Sequence, residues 1–333
     1  MLDNGSATGI RTATATMRAV IIAGPKQTDI EHVTIPEPGP GEVRVRLEGS
    51  GVCGSNLPAW QGRPWFQYPT EPGSPGHEGW GTVDAIGNGV TGLTIGDRVA
   101  ALSHRAFAEY DIATADTVVP LPDNLSGRYF PGEPLGCAVN IYRRSGIEAG
   151  QSVVIVGIGF LGAILTRLIS RAGARVIAIS RRPFALQIAQ EMGADVTLPL
   201  DDHHRIVRDV QQLTRGQGAD RVIEAVGSQW PLDLAGELTR VRGRLIIAGY
   251  HQDGPRQINM QLWNWRGLDV VNAHEREASV YIDGIRGAVE AVASGVLNPS
   301  RLYTHTFPLD QLDQAFAIME ERPNGFLKAL VLP

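Results

Sequence analysis

Four candidate metal ligands stand out in the first 133 positions of the chain. Cys53 lies in the glycine-rich stretch GVCGSN, His77 and Glu78 lie in PGHEGWG, and Glu133 lies in PGEPLG. Thiolate, imidazole and carboxylate are the ligand types of a catalytic zinc ion that keeps one coordination position open. Taken singly, each residue also fits a simpler role, as a small core cysteine, a turn histidine or a surface acid. Taken together, they favour a metal site.

A glycine pattern in the middle of the chain predicts dinucleotide binding. Residues 151–180 read as a strand, a glycine turn, a helix and a second strand, which is typical of a βαβ unit in a parallel sheet. The glycines of the turn follow G-x-G-x-x-G, a spacing that brings backbone N–H groups close to a pyrophosphate. Because the strands, turn and helix agree in order and spacing, cofactor binding is favoured over a purely structural turn. The cofactor-binding residues predicted here are Gly157, Gly159, Phe160, Leu161 and Gly162.

The end of the second strand predicts which nicotinamide cofactor is bound. An NAD site usually places Asp or Glu at this point, where the carboxylate accepts hydrogen bonds from the ribose hydroxyls. This chain has Ser180, Arg181 and Arg182 instead, followed by Pro183, which suits the first position of a helix. A 2′-phosphate would accept a hydrogen bond from Ser180 and charge-assisted contacts from an arginine. The sequence therefore predicts NADP(H), and a pair of solvated surface arginines is the alternative.

Two contrasting parts of the chain must position these groups. From Met17 to about Pro134, short apolar stretches alternate with Gly and Pro, which predicts a mainly β domain. From about residue 150, apolar strands alternate with helical segments, which predicts a parallel sheet with helices on its faces. The last stretch, from Tyr303, ends in a strand-like segment that is expected to rejoin the first domain.

Composition limits the classes of partner. A chain of 333 residues is long enough for two domains, and a net charge of -5 gives no electrostatic footprint for nucleic acid or an anionic membrane. Small molecules are the expected partners. Two cysteines suit a reducing compartment, and a cytoplasmic location is expected. Residues 1–16 are small and polar, lack the apolar core of a signal peptide and are predicted to form a disordered extension.

One longer motif resembles a known signature. The stretch GHEGWGTVDAIGNGV fits the zinc alcohol dehydrogenase pattern G-H-E-x2-G-x5-G-x2-V, and GVCGSN, GDRVA, FAEY, EPLGCAV and GIGFLG follow the order of that family. Over residues 17–333 the chain resembles a medium-chain dehydrogenase/reductase of the zinc-dependent alcohol and polyol dehydrogenase type. The resemblance implies an α/β protein with two domains. They are a GroES-like, mainly β catalytic domain, residues 17–136 and 286–333, and a Rossmann NADP-binding domain with a doubly wound parallel sheet, residues 137–285.

The resemblance also implies a role for each candidate residue. Cys53 and His77 would be zinc ligands, and Glu133 occupies the third-ligand position, as in relatives of sorbitol dehydrogenase. Glu78 is similar to a residue that lies beside the metal and ligates it in some members, so the choice between the two glutamates stays open. Ser55 matches the hydroxyl that takes up the alcohol proton. Zinc would polarise the alcohol oxygen while hydride passes between the carbinol carbon and the nicotinamide.

The chain departs from the family pattern at three places. The region after GDRVA runs directly into the next strand without cysteines, so one catalytic zinc and no structural zinc are expected. Asn56 stands where the family commonly has Asp, and it either makes the metal more electrophilic or simply orients His77. Pro58 replaces a histidine that often ends the proton relay, so the proton must leave by another route.

Several aromatic and basic residues complete the candidates. Trp60 and Trp65 follow the Cys53 turn, and Tyr250 and His274 end predicted strands near the expected nicotinamide position. Trp60, Trp65 and His274 could line a substrate pocket and Tyr250 could contact the cofactor, or they could equally be core or interface residues. Lys328 in GFLKAL matches a basic position that contacts cofactor phosphate in relatives, and a surface lysine is the alternative.

The function predicted from these features is hydride transfer between NADP(H) and a secondary alcohol or polyol, or its ketone, by a homodimer or homotetramer. A zinc-free quinone or enone reductase of the same fold is one alternative, but it would have no reason to hold Cys53, His77 and Glu133 together. A non-catalytic NADPH-binding protein is another, because fold alone does not prove chemistry.

Overall fold

The computed structural model describes residues 15–333. The strands that precede the glycine turn are β1 Thr16–Gly24, β2 Gln27–Thr34, β3 Glu42–Gly51, β4 Gly79–Ile86, β5 Arg98–Ala101, β6 Tyr110–Thr114, β7 Val118–Pro120 and β8 Ser152–Val156. The strands that follow it are β9 Arg175–Ser180, β10 Val196–Pro199, β11 Ala219–Glu224, β12 Thr239–Ile247, β13 Asp269–Asn272, β14 Tyr303–Pro308 and β15 Lys328–Leu332. The helices are α1 Leu57–Trp60, α2 Gly132–Ser145, α3 Phe160–Arg171, α4 Pro183–Glu191, α5 His203–Leu213, α6 Gln229–Leu238, α7 Met260–Arg266, α8 Ala278–Ala293 and α9 Leu312–Glu321.

The second part of the chain forms a six-stranded parallel sheet in the order β10-β9-β8-β11-β12-β13. The central strand β8 is apolar along Val153–Val156 and fully buried, as expected for a strand covered by helices on both faces. The strand order reverses between β8 and β11, and ligands bind at such a point, beyond the carboxyl ends of the strands. The predicted doubly wound sheet is therefore confirmed.

The first part of the chain forms a mixed sheet with the order β14-β15-β3-β4-β5-β7, and β6 also pairs with β3. The C-terminal strand β15 pairs with β3 by placing Leu330 opposite Gly51 and Val331 opposite Ser50. The end of the chain thus rejoins the mainly β part, as the sequence predicts, and lies beside the strand that leads to Cys53.

The two parts pack together through α2 and α8. The predicted domain limits, 136/137 and 285/286, fall inside these two helices, and an added Cβ at Gly136 would lie 2.7 Å from the backbone nitrogen of Ile285. One apolar cluster includes Leu135, Ile285 and Ile155, so the core continues across the limits. The domain limits themselves stay predictions.

Two further features concern the ends and surface of the chain. The predicted disordered extension, residues 1–16, lies outside the described residues except for its last two, and Thr16 begins β1. Among residues 15–333, every helix is too short or too polar to cross a lipid bilayer.

Candidate active site

Three candidate metal ligands lie together at one end of the mixed sheet. Potential ligand atoms of Cys53, His77 and Glu78 are all within 4.8 Å of one another. Cys53 follows β3, and His77 and Glu78 immediately precede β4, which runs antiparallel to β3 with Ser50 opposite Gly79. Strand pairing therefore brings the two loops to the same edge of the sheet. A thiol, an imidazole and a carboxylate in one group fit a transition metal such as zinc.

Asn56 holds both loops of this group in place. Its Oδ1 accepts a hydrogen bond from the backbone nitrogen of Cys53 at 3.0 Å, and its Nδ2 donates to the carbonyl oxygen of Pro75 at 2.9 Å. The same carbonyl lies 3.0 Å from Nδ1 of His77. Because a carbonyl oxygen can only accept, Nδ1 carries a proton and Nε2 is the nitrogen available to a metal. Ser55 is half-buried in the 3-10 turn Gly54–Asn56, directly after Cys53.

The surroundings of His77 are negatively charged. Burial acts to lower the pKa of His77, but the hydrogen bond and charge of Cys53, with the charges of Glu133 and Glu78, raise the pKa to about 10. The carboxylates and the thiol thus favour a positive charge at the position of the imidazole, which is the electrostatic condition that a bound cation needs.

Glu133 lies beside the group of three rather than within it. Its Oε1 is 3.2 Å from Sγ of Cys137, and this sulfur is 3.7 Å from the hydroxyl of Tyr281. Burial raises the pKa of Glu133, while the positive charge of His77 counteracts this shift. Burial and the charge of Glu133 also raise the pKa of the Cys137 thiol well above its ordinary value. Tyr281 comes from α8, and no local motif in the sequence marks it as a neighbour of this site.

A buried ion pair joins Glu78 to the C-terminal strand. Nζ of Lys328 donates to Oε1 of Glu78 at 2.7 Å and lies 2.5 Å from Oε2, and the two side chains are 7% and 0% exposed. An added Cβ at Gly51 would lie 1.8 Å from Oε2, so only glycine leaves room for this carboxylate. The lysine is also 5.2 Å from the ring centre of Phe160, the first residue of α3. Its predicted contact with cofactor phosphate stays a prediction.

The glycine turn after β8 has the backbone that a pyrophosphate site requires. Gly157 has φ +106°, and an added Cβ at Gly162 would lie 2.2 Å from the carbonyl oxygen of Gly157. These two glycines therefore permit the turn and the close approach of α3. Gly159 precedes α3, and a Cβ built there would meet no atom within 4 Å. The helix N-terminus thus faces open space, which fits a dinucleotide phosphate.

The two arginines after β9 differ in their surroundings. Arg182 donates to the carbonyl oxygens of Phe326 and Ile158, the latter at 3.3 Å, so its guanidinium connects the glycine turn to the C-terminal segment. Arg181 is exposed, and Ser180 is buried with its hydroxyl 3.5 Å from the backbone nitrogen of Arg182. Arg181 is therefore the more accessible of the two for a cofactor phosphate.

The tryptophans near Cys53 have different environments. Trp60 is 4% exposed, donates from Nε1 to Oδ1 of Asp313 at 2.7 Å and packs against Phe316 with ring centres 5.5 Å apart. This arrangement supports the core alternative for Trp60. Trp65 is 60% exposed and contacts Phe66.

The aromatic residues of the second part form a row. The rings of Tyr250 and His274 stack with centres 5.9 Å apart, and His274 is 6.5 Å from Tyr281 in an edge-on arrangement. Because Tyr281 lies beside Cys137, the row leads from the carboxyl end of β12 to the surroundings of Glu133.

Comparisons with known proteins agree with this geometry. Residues 39–123 match the family model for the alcohol dehydrogenase GroES-like domain, and residues 161–286 match the model for zinc-binding dehydrogenase. A sorbitol dehydrogenase from Gallus gallus is 29% identical, with 91% of this chain and 93% of the relative covered. A 2-dehydro-3-deoxy-L-galactonate 5-dehydrogenase from Pseudoalteromonas atlantica is also 29% identical, with 88% and 92% covered.

A similar solved structure comes from Sinorhizobium meliloti 1021 and contains NADP. It superposes with a TM-score of 0.82 at 26% sequence identity, covering 96% of this chain and 100% of the other. The two family models match successive parts of the chain, and the curated relatives extend over nearly its whole length. The chain thus belongs to the medium-chain dehydrogenase/reductase family of zinc-dependent alcohol and polyol dehydrogenases.

Proposed function

We propose that the protein uses zinc and NADP(H) to interconvert a secondary alcohol or polyol and its ketone. The observation that carries this proposal is the group formed by Cys53, His77 and Glu78, which Lys328 links to Phe160 at the start of the helix after the glycine turn. The family membership supports an alcohol or polyol oxidoreductase, and the choices of metal and cofactor rest on the residues described below.

Each of the protein's own residues would have a distinct role in catalysis. A zinc ion held by Cys53, His77 and either Glu78 or Glu133 would polarise the substrate oxygen. Ser55 lies two residues after Cys53 and would relay the hydroxyl proton, accepting it while passing its own hydroxyl proton to water. A nicotinamide cofactor held at the glycine turn would accept the hydride released when the carbinol C–H bond breaks, so that the substrate is oxidised as the cofactor is reduced. Of the two glutamates, Glu78 is supported as the resting ligand because its carboxylate belongs to the 4.8 Å group.

Arg181 supports the choice of NADP(H). It is exposed at the carboxyl end of β9, where a carboxylate would otherwise bind the ribose hydroxyls of NAD. The NADP in the structure from Sinorhizobium meliloti 1021 agrees with such a preference for this chain. Ser180 and Arg182 complete the proposed phosphate site, with Arg182 acting mainly to hold the surrounding backbone.

The proposed substrate is a polyhydroxylated secondary alcohol. Two curated relatives are named for such substrates, sorbitol and a deoxy sugar acid. The row formed by Tyr250, His274 and Tyr281 offers rings and hydroxyls that could contact a sugar-like carbon chain. Trp65 is exposed near the same loop and could contribute to the pocket entrance.

An experiment with purified, zinc-replete protein tests this function. Initial rates would be measured with NADP⁺ and NAD⁺ over a panel of polyols, sugar acids and simple secondary alcohols, with metal content determined on the same samples. We expect one zinc per chain and a higher kcat/KM with NADP⁺. Protein that binds no zinc but reduces quinones or enones would favour the zinc-free reductase. NADPH binding without turnover of any substrate would favour a non-catalytic protein.

The edge strand β13 supports a homodimer or homotetramer. In the described chain β13 pairs only with β12, and exposed apolar side chains lie near it, including Trp265 at 86% and Met260 at 57% exposure. An unpaired edge with an apolar surround is a common place for chains to associate. Light scattering coupled to size-exclusion chromatography should give a mass of two or four chains, and a monomer would contradict the proposal.

A further inference from the structure

We propose that Arg322 binds the pyrophosphate of the nicotinamide cofactor from the catalytic side of the cleft. The proposal rests on the proposed nicotinamide cofactor, but it does not depend on the choice between NADP(H) and NAD(H). Arg322 lies outside the motifs of the sequence, and no pattern near it suggests a role.

Arg322 is held over the loop that carries Cys53. It directly follows α9 in the left-handed conformation with φ 48°, and its Nε donates to the carbonyl oxygen of Met319 at 3.2 Å. A Cβ built on Gly54 would lie 3.7 Å from Nη2 of Arg322, which places the guanidinium beside the residue after Cys53. The guanidinium of Arg322 is therefore held close to the candidate metal group.

The residues after Arg322 contact the cofactor-binding sheet. Oδ1 of Asn324 accepts a hydrogen bond from the backbone nitrogen of Phe184 at 3.1 Å, at the start of α4. The carbonyl oxygen of Phe326 accepts from Arg182, whose guanidinium also donates to Ile158 in the glycine turn. The segment 322–326 thus extends from the metal loop to the glycine turn and the end of β9.

The position of Arg322 corresponds to the middle of a bound dinucleotide. The reacting nicotinamide must lie near the metal group, and the adenosine ribose must lie near the end of β9. The pyrophosphate joins the two halves and lies at the N-terminus of α3. Arg322 stands between these two ends, so its guanidinium is placed for the pyrophosphate rather than for the 2′-phosphate.

Neighbouring arginines give the surroundings of Arg322 an excess of positive charge, which an anionic ligand would neutralise. Burial, followed by the charges of Arg322 and Arg181, lowers the pKa of Arg182. Burial and the charge of Arg181 also lower the pKa of Arg322, while Cys53 acts in the opposite direction. Within residues 15–333, none of these three arginines has a carboxylate at ion-pair distance. A pyrophosphate would supply the missing negative charge through charge-assisted hydrogen bonds.

Lys328 is a second cation near this part of the chain, but its ammonium group already pairs with a carboxylate of the protein. Its ammonium group is buried and paired with Glu78, so a contact with phosphate would leave that carboxylate without its partner. The side chain of Arg322 keeps solvent-exposed surface although neighbouring atoms partly desolvate its guanidinium, and it has no carboxylate partner among the described residues to give up. The available cation is therefore Arg322.

The test compares Arg322→Gln with Arg181→Gln in zinc-loaded protein. The Kd values for NADPH and NADH would be measured by quenching of tryptophan fluorescence, which requires no turnover. Arg322→Gln should raise both Kd values by the same factor, about 10-fold, the loss expected for one charge-assisted contact. Arg181→Gln should raise the Kd for NADPH alone. Arg322→Lys should recover part of the loss, because the charge is retained.

Arg215→Gln is the matched control. Arg215 is also exposed and has φ 55°, so the same substitution imposes similar backbone strain away from the cleft. Its Kd values should equal those of the wild type. Unchanged binding in Arg322→Gln, or weaker binding of NADPH alone, would overturn the assignment to the pyrophosphate. A wild-type preference for NADH would overturn only the proposed NADP(H) preference, since the Arg322 effect can still be measured with NADH.

Discussion

The two charged regions of the cleft are built in opposite ways. Around the candidate metal group, Glu78 is paired with Lys328 and His77 contacts Cys53, so opposite charges are matched within the protein. In the arginine cluster formed by Arg181, Arg182 and Arg322, the described residues provide no carboxylate partner. The metal region therefore contains both signs of charge within the protein and an excess of anionic groups around His77, whereas the proposed pyrophosphate would supply the negative charge that the described residues do not give the arginine cluster.

Removal of Cys53 should cause the largest effect. Cys53→Ala takes the thiolate from the proposed zinc site and should lower kcat/KM at least about 1,000-fold, because a Lewis acid supplies several kcal/mol of charge stabilisation. Zinc content, measured by atomic absorption, should fall with the activity. Cys137→Ala is the control and should retain zinc, because Cys137 lies outside the 4.8 Å group. Full zinc content in Cys53→Ala would show that the metal region is not held as proposed.

Loss of Lys328 should destabilise the protein itself. In metal-free protein Lys328→Met leaves the carboxylate of Glu78 buried without its partner, and we expect the free energy of unfolding to fall by about 3 kcal/mol. Denaturant unfolding measures the change. The double variant with Glu78→Gln should recover part of the loss, because the unpaired charge is then absent. Equal stability of Lys328→Met and wild type would break the contrast between the two regions.

Gly51→Ala tests how tightly the same pair is packed. The added Cβ would lie 1.8 Å from Oε2 of Glu78 and 3.0 Å from Cε of Lys328, so the ion pair must move. We expect a loss of about 2 kcal/mol of unfolding free energy, a typical cost of overpacking. Gly24→Ala is a suitable control, since its Cβ would meet nothing within 4 Å. A similar stability for both variants would argue against a tightly packed carboxylate.

Arg181→Gln should have the smallest effect on stability, and it should change cofactor preference instead. Removal of one of three neighbouring cations relieves repulsion, so cofactor-free protein should unfold at the same temperature or slightly higher. The ratio of kcat/KM for NADP⁺ to that for NAD⁺ should nevertheless fall about 10-fold, because a charge-assisted phosphate contact is lost. A clear drop in the Tm of the cofactor-free variant would mean that Arg181 has a partner within the protein.

The cofactor side of the cleft was the easier to predict because its parts are contiguous. The strand β8, the glycine turn and α3 lie next to one another in sequence, and the steric limit on Gly162 comes from the carbonyl oxygen of Gly157 in the same turn. The parallel sheet follows from the same alternation of strands and helices. The motif therefore contained nearly all the information needed for its local structure.

The metal side depends on pairings between distant segments. Residue types and family resemblance suggested Cys53, His77, Glu78 and Glu133, but not which glutamate joins the group. Trp60 was an open choice between pocket and core, and its hydrogen bond to Asp313 from α9 places it in the core. Such contacts join elements that are far apart along the chain, so no local pattern reveals them.

The sequence by itself determined the fold class, the glycine turn and the kinds of side chain available for chemistry, since each depends on short-range spacing and residue type. Only the tertiary structure decided that Lys328 neutralises Glu78, that Tyr281 lies beside Cys137, and that Arg322 covers Gly54. The physical reason is that β15, α8 and the end of α9 reach the cleft through sheet pairing and helix packing. Charge balance in the cleft is therefore a property of the assembled chain.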